Sequence, residues 1–563
     1  MTSPQLHFDV IIAGGGFAGV YCAQTLGKEL GADGRKRVAL IADQNFMVFQ
    51  PMLAEVVGSS VSPRHVVNPI RRLCRDATVL RGSITRLDLA TRELELNAGD
   101  FTGNVTIGFE HLVLALGGIV DLTKVPGMTE HALLLKNVGD ALKLRATIID
   151  RFEEANLESD PEIVRRLLTF VIVGGGYSGV EVAGQIFDLG KEILDVYPRL
   201  PGTAFHVVLI HSGPHLLPEI SESLGHYTEQ NLRSRGVELI LGTRVSAMTA
   251  GKVCIPGQTI EAHTVISTVG NAPHPLVTAL CKAQEFECEK GRILTDPTMR
   301  VKGQSKVWAA GDCAAVPMAP PAKTSPTDAK KYCPPTAQFA LRQGTVLGAN
   351  IARVLDGTGE PRAFTFTGLG ELAAIGHHAA VAEILGMKFS GFIAWWMWRT
   401  IYLSKLPGLE RKLRVLIDWT LDLFFPRDIT LLQSKPTQVM KEMHLEAGDR
   451  LFHAGEPVFS FYIVKSGKID LLNPDGSLSR CVLPGDHFGE RALLHDRIWR
   501  FSAVAAEGTV LVALGASVFD TLVRADTSIR DLLLRTASKL ETPAVQPPAG
   551  DLQSAATPVA DGG

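Results

Sequence analysis

Two copies of Gly-x-Gly-x-x-Gly, each set between an apolar strand and a helical pattern, limit the possible folds of this chain more than any other feature. The first copy, Gly14-Gly15-Gly16-Phe17-Ala18-Gly19, follows the apolar run 8–13. A helical pattern then reaches Leu30, and residues 37–41 read as a second strand. The second copy, Gly174-Gly175-Gly176-Tyr177-Ser178-Gly179, follows the run 168–173. It precedes a helix over 180–194 and a strand over 205–210. In such a β-α-β unit the first glycine makes the tight turn, the second lets the backbone approach a pyrophosphate, and the third lets helix and strand pack closely. The helix N-terminus presents free amides and a positive dipole end to the phosphate. One copy is a weak signal. Two copies in full context, 160 residues apart, predict two dinucleotide sites.

The length of 563 residues gives a prior of about three to four domains. Lys plus Arg number 56 against 59 Asp plus Glu, which argues against a nucleic-acid binder driven by phosphate attraction. Eight cysteines are scattered and none forms Cys-x-x-Cys, so neither a redox disulfide of that type nor a zinc knuckle is expected, and no metal centre is assigned. Residues 1–7 hold no basic region and no apolar run, so no signal peptide is read, and reduced thiols in the cytoplasm are the default expectation. Residues 317–335 read as a loop and 426–436 as a linker, while 541–563 have the composition of a disordered tail.

Further motifs narrow the reading. They are Phe49-Gln50-Pro51-Met52-Leu53, Glu110 to Gly117, Val307-Trp308-Ala309-Ala310-Gly311-Asp312, and Pro335 to Gly344 with Ala337, Gln338 and Arg342. With the two glycine loops, they make residues 8 to about 430 resemble the type II NADH dehydrogenases, single-subunit flavoproteins that lie on one membrane face. The resemblance implies a non-proton-pumping, FAD-dependent NAD(P)H:quinone oxidoreductase. It implies that Gly311 and Asp312 hold the FAD ribityl chain, with Gly14, Gly16, Gly19, Asp43 and Ala337 on the same cofactor. It places Gly174, Gly176, Gly179, His211, Ser212 and Gly270 on the nicotinamide nucleotide, and Glu181 against the nicotinamide. Gln50 and Gln338 are neutral amides that donate to flavin or quinone oxygens without burying a charge. Arg342 stands where the family often has a second Gln. The flavin carries the hydride chemistry, so no general acid or base is required for that step.

Two departures from the family pattern bear on specificity. The first β-α-β unit ends Ala42-Asp43, with Ala42 at the usual acidic position. Asp43 lies 24 residues past Gly19, and a one-residue shift lets it serve the ribose. The second unit ends His211-Ser212-Gly213 with no carboxylate. A carboxylate there favours NADH and repels the 2′-phosphate of NADPH, so its absence predicts relaxed specificity or an NADPH preference.

Four of the six tryptophans crowd one region: Trp395, Trp396, Trp398 and Trp419. The aromatic run 389–403 contains Arg399 and is too short to span a bilayer. Arg411, Lys412 and Arg414 follow. Aromatics beside a basic cluster suit a helix lying in a membrane interface. A homodimer interface or buried packing is the competing reading, and it can coexist with membrane contact.

From residue 440 short strands alternate with glycine turns, as in a β-roll. The run Phe488-Gly489-Glu490, followed by Arg500-Phe501-Ser502, resembles the phosphate-binding cassette of cyclic nucleotide-binding domains. The resemblance implies Glu490 on the ribose hydroxyl and Arg500 on the cyclic phosphate, a charge-assisted pairing. Phe501 replaces a small residue, and the lack of Thr there points to cAMP. A ligand site and a degenerate domain both stay open.

The expected fold class is α/β: two Rossmann-like dinucleotide-binding domains with an amphipathic membrane-facing extension, plus a C-terminal β-roll. The expected division is FAD-binding at 1–135 and 291–360, NAD(P)H-binding at 136–290, extension and linker at 361–436, the cyclic nucleotide-binding domain at 437–541, and a tail at 542–563. The leading expectation is a peripheral enzyme on the cytoplasmic face of the inner membrane that passes electrons from NADH or NADPH to a membrane quinone and answers to cAMP. The alternatives are a soluble flavin reductase with another acceptor and a flavin-stabilised scaffold.

Overall fold

The computed structural model describes residues 6–99, 102–283, 285–318, 332–376, 378–431, 440–494, 498–516 and 519. The tail, the centre of the 317–335 loop and the far half of the expected linker lie outside these residues. Two compact units divide at Leu432 and Gln433.

In the first unit, a seven-stranded sheet is built around Leu6–Ala13. That strand pairs in parallel with Val38–Ala42 on one side and with Asn104–Leu114 on the other. Val307–Ala309 returns late in the chain to pair with Leu112–Leu114, which closes the domain from a distance of almost 200 residues. A second, five-stranded parallel sheet has Thr169–Val173 at its centre, flanked by Thr264–Ser267 and His206–Ile210. Val38–Ala42 and Thr169–Val173 are buried at every position, as parallel strands covered on both faces must be. This is the doubly wound architecture expected, and the second sheet takes its outer strand from Ala132–Leu134, slightly ahead of the expected boundary. The strands Gly118–Val120 and Asn271–Pro273 pair where the chain crosses between the two sheets.

The extension carries a feature the sequence reading lacked. Before its helices stands a three-stranded antiparallel meander, Gly370–Gly376, Ala379–Ile384 and Met387–Ser390. Helices Gly391–Lys405 and Leu409–Leu421 follow. Gly184 lets the helix Tyr177–Val196 lie against this meander, since a Cβ at Gly184 would sit 2.0 Å from the Ile375 carbonyl oxygen. Among the described residues no helix is long and apolar enough to cross a membrane.

Two expectations are corrected. The linker does not begin freely at Pro426. Arg427 is buried, donates to the Gly58 carbonyl at 3.1 Å, and pairs with Glu192 at 3.1 Å and Asp422 at 3.5 Å. The thiols are not all reduced, because Cys281 and Cys288 form a disulfide.

The second unit contains two four-stranded antiparallel sheets. Phe452, Phe461, Phe488 and Trp499 fill its core, and Trp499 stacks on Phe452 with ring centroids 3.6 Å apart.

Candidate functional site

The first glycine loop opens into a cavity of about 660 Å³. Gly14 has φ +122°, a conformation closed to side chains, and a Cβ there would meet the Ala115 oxygen at 2.1 Å. Gly16 faces open space, which leaves room for an anionic group at the start of helix Phe17–Leu30. Ala42 and Asp43 both line the cavity; Asp43 supplies the carboxylate there, and its Oδ1 accepts the Gln44 amide at 2.9 Å. Gly117, Lys136, Asn137, His274 and Ala337 also face it.

Gly311 and Asp312 close the far side of the cavity. Burial pushes the Asp312 carboxyl up, while Lys136 and Arg292 pull it back down. The loop is fixed from behind, because Gln343 Oε1 accepts the Gly311 amide at 2.8 Å. Gln343 escaped the sequence reading, which weighed its neighbour Arg342. The signal lay in the helical spacing: Ala340, Gln343, Gly344 and Leu347 form one buried stripe of helix Ala337–Asp356. Arg342 points elsewhere. It donates to the Gln338 carbonyl at 2.8 Å and lies over the Phe366 ring at 4.1 Å, so it stabilises its own helix and does not line the cavity.

Gln50 borders the cavity and is exposed, with Nε2 3.4 Å from the Lys136 carbonyl. Gln338 is half-buried and tied to the meander, donating to the Gly370 carbonyl and to Glu371, each at 3.3 Å. Glu181 is not an exposed first-turn acid. It is 9% exposed, accepts the Ala374 amide at 3.2 Å, and burial pushes its carboxyl up to about 8. Glu55 is buried near it and is raised to about 7 by the same cause. Tyr402 is held well above its usual range by burial and by the charges of Glu181 and Glu371. The ring of Tyr402 meets that of Phe49 edge-on at 6.2 Å. Glu181 and Glu55 each accept a hydrogen bond from the extension, and both carboxyls can hold protons near neutral pH without exposed charge.

The second glycine loop repeats the geometry of the first. Gly174 has φ +118°, and Gly176 again faces open space. A Cβ on Gly179 would meet the Gly174 oxygen at 1.7 Å. His211 Nδ1 accepts the Gly175 amide at 3.1 Å, and burial lowers the imidazole pKa. His211 therefore braces the loop as a neutral ring, with Nε2 left as the protonated nitrogen. Ser212 is exposed beside it. Gly270 lies at the crossing between the sheets, where its carbonyl accepts the Asp121 amide at 2.5 Å.

The tryptophan cluster divides. Trp395, Trp398 and Trp419 are buried, and Arg399 lies over the Trp395 and Trp419 rings at 4.0 and 4.9 Å. They pack the helical pair against the core and cannot reach a membrane. Trp396, Phe392 and Ile393 are exposed, as are Leu413, Leu416, Ile417, Phe424 and Phe425. Arg414 is exposed and paired with Glu410 at 3.1 Å, while Lys412 donates to the Ser404 carbonyl at 2.7 Å. Arg411 is half-buried.

In the β-roll, Phe488 is buried and Gly489 holds φ +102°. Glu490 is 4% exposed, with His487 Nδ1 3.3 Å from its Oε2. Arg500 and Phe501 are exposed, and Ser502 Oγ accepts the Ala454 amide at 3.0 Å. The bulky ring in the core is Trp499; Phe501 turns outward.

Comparison with known proteins agrees with this geometry. Residues 8–344 match the pyridine nucleotide-disulphide oxidoreductase family, 369–428 the NDH2 C-terminal domain, and 442–526 the cyclic nucleotide-binding domain. The type II NADH:quinone oxidoreductase Ndh of Mycobacterium tuberculosis is 30% identical over 430 residues, covering 74% of this chain and 89% of that protein. The demethylphylloquinone reductase NdbB of Synechocystis is 29% identical over 420 residues, covering 73% and 95%. The structure of NDH2 from Plasmodium falciparum in complex with NADH has a TM-score of 0.67 at 19% identity, covering 76% of this chain and 100% of that one. The meander and helices after residue 369 are thus a recurring domain and not an irregular appendage. The chain belongs to the pyridine nucleotide-disulphide oxidoreductases and, within them, to the type II NADH:quinone oxidoreductases.

Proposed function

We propose that this chain oxidises NADH or NADPH, reduces a membrane quinone, and takes cAMP as a regulatory ligand. The observation that carries the redox reading is the pair of matching glycine loops, one of which opens into a cavity closed by Asp312. The cavity fits FAD: an open helix N-terminus suits the pyrophosphate, Asp43 the ribose, and Asp312 with Lys136 the ribityl chain. When bound, FAD supplies hydride acceptance and two-electron transfer. The chain's own residues bind, orient and exclude water. Gln343 fixes the Gly311 loop, and His211 fixes the second glycine loop. Glu181 and Tyr402 hold protons in a buried region beside the extension, where quinone reduction consumes them. The relative from Mycobacterium tuberculosis, named as a type II NADH:quinone oxidoreductase, supports the acceptor.

The exposed apolar row of the extension is assigned to the cytoplasmic leaflet, with Arg411 and Arg414 beside anionic headgroups. The β-roll supports a nucleotide site through Glu490 and Arg500. The decisive experiment is a spectrum of the purified protein. The flavin band bleaches on adding NADH or NADPH and returns on adding quinone. A band that stays bleached until another acceptor is added favours a soluble reductase, and an unbleachable band favours a scaffold. Titrating cAMP during turnover then tests regulation through a measurable change in kcat or KM.

A further inference from the structure

Away from the cavity, two histidines and a glutamate converge on one point of the second dinucleotide domain. His215 comes from the segment that follows strand His206–Ile210. Glu222 and His226 stand one turn apart on helix Glu222–Arg235, on one face. His215 Nε2 is 3.3 Å from Glu222 Oε1, and His226 Nε2 is 3.6 Å from the same oxygen. The three ligand atoms all lie within 4.8 Å of one another. The imidazoles meet edge-on with centroids 4.9 Å apart.

A tetrahedral ion with metal–ligand bonds of about 2.0–2.1 Å sets its ligand atoms about 3.3–3.4 Å apart. Both nitrogen–oxygen separations fall close to that edge. The outer arrangement is also in place. Glu229 Oε2 lies 3.5 Å from His226 Nδ1, and Glu229 Oε1 is anchored by the Leu216 amide at 3.1 Å. A carboxylate on Nδ1 holds the proton there and leaves the Nε2 lone pair for a metal. His215 Nδ1 is buried without a hydrogen-bond partner among the described residues. Two imidazoles with one carboxylate suit zinc-class ions and not Mg²⁺ or Ca²⁺, which prefer all-oxygen shells.

We propose that His215, Glu222 and His226 bind one Zn²⁺-class ion, with a water in the fourth position. None of the three residues lines the cavity at the first glycine loop. The site's His215 segment is the one that braces the second glycine loop, through the Leu217 amide on the Gly175 carbonyl at 2.8 Å.

The test is calorimetric titration of ZnCl₂ into the chelator-treated, FAD-loaded full chain. The expected result is one saturable site that a hundredfold excess of Mg²⁺ does not displace. Glu222→Gln and His226→Ala each weaken it at least tenfold, and Glu229→Gln weakens it severalfold. Glu222 and His226 are exposed helix positions, so flavin content and metal-free Tm stay unchanged and report an intact fold. Equal Zn²⁺ affinity in the parent and in His226→Ala, or displacement by Mg²⁺, overturns the assignment.

Discussion

Trp419 donates its indole N–H to Glu55 Oε2 at 2.9 Å, which ties the last helix of the extension to the short helix behind Gln50. Glu55 is fully enclosed there, and burial raises its carboxyl from 4.5 to about 7. A raised acid keeps its proton in the folded state after the unfolded chain has lost it. Stability therefore falls as pH rises from about 4.5 to about 7 and levels off above that. Glu55→Gln removes this loss and still accepts the indole N–H. The variant is expected to match the parent in Tm near pH 4.5 and to exceed it above pH 7, with a ceiling of about 3 kcal/mol. Thermal melts across pH check it; a Tm difference that does not vary with pH sinks the argument.

Glu181 is expected to act after the flavin has been reduced. Its carboxyl is raised to about 8, so it is mostly protonated at neutral pH and loses its proton above that value. Glu181→Gln should leave NADH-driven flavin bleaching within about threefold of the parent. It should slow quinone-driven reoxidation by about 10²-fold, the scale of a lost proton donor. It should also abolish the alkaline step in that rate. Stopped-flow traces of the two half-reactions separate the effects, and equal loss in both would place Glu181 at the nicotinamide.

Gln343→Ala leaves the buried Gly311 amide without its acceptor, a cost of about 1–3 kcal/mol at the edge of the cofactor cavity. The expected outcome is FAD loss on gel filtration with secondary structure intact. Arg342→Ala should retain FAD, because Arg342 touches its own helix and Phe366. Flavin-to-protein absorbance ratios measure both, and the reverse ranking would restore Arg342 to the site.

The parts of the fold carried by local sequence were readable in advance. Glycines that must approach a carbonyl oxygen, as Gly14 and Gly179 do, announce themselves by spacing, and fully buried strands by unbroken apolar runs. Contacts made across long sequence distances were not readable. In the sequence Arg399 is only a charge that interrupts the aromatic run; in the fold it lies over two indoles and pairs with Asp422 at 3.5 Å. Trp398 looked like a membrane anchor, yet it is 1% exposed. Composition marks a helix as aromatic, but only its packing partners decide which aromatics face outward. Arg342 and Gln343 differ by one position on a helix, and a 100° turn separates the cavity wall from the outer face.

The expected relaxed nucleotide choice rests on His211, whose Nδ1 accepts the Gly175 amide, and on the exposed Ser212. With no carboxylate at this end of the strand, kcat/KM for NADPH should lie within tenfold of that for NADH. Ser212→Asp should reduce the NADPH value at least tenfold while sparing NADH, since a carboxylate accepts from the 2′-OH and repels a 2′-phosphate. A parent that already prefers NADH by far more than tenfold would show that another group performs the discrimination.

The proposed membrane docking uses the outward face of the helical pair. Phe392, Ile393 and Trp396 are 61%, 64% and 60% exposed, a cost in water unless another apolar phase covers them. Each such side chain contributes about 1.5–3 kcal/mol when fully buried. Partial insertion realises part of that, so Phe392→Ser with Trp396→Ser should weaken binding to anionic vesicles by tenfold or more. Phe392 also stacks on the buried Trp395 at 5.4 Å, so a small loss of Tm is expected while flavin content holds, and Trp396→Ser alone should leave Tm unchanged. Trp398→Ser reports the opposite class of position: it opens a cavity in the buried cluster and should lower Tm before it alters vesicle binding. Sedimentation with vesicles of defined anionic content reads the first effect, and size-exclusion chromatography without lipid reads the rival. If Phe392→Ser with Trp396→Ser converts a dimer to a monomer and leaves vesicle binding intact, the face belongs to a second copy of the chain and not to the bilayer.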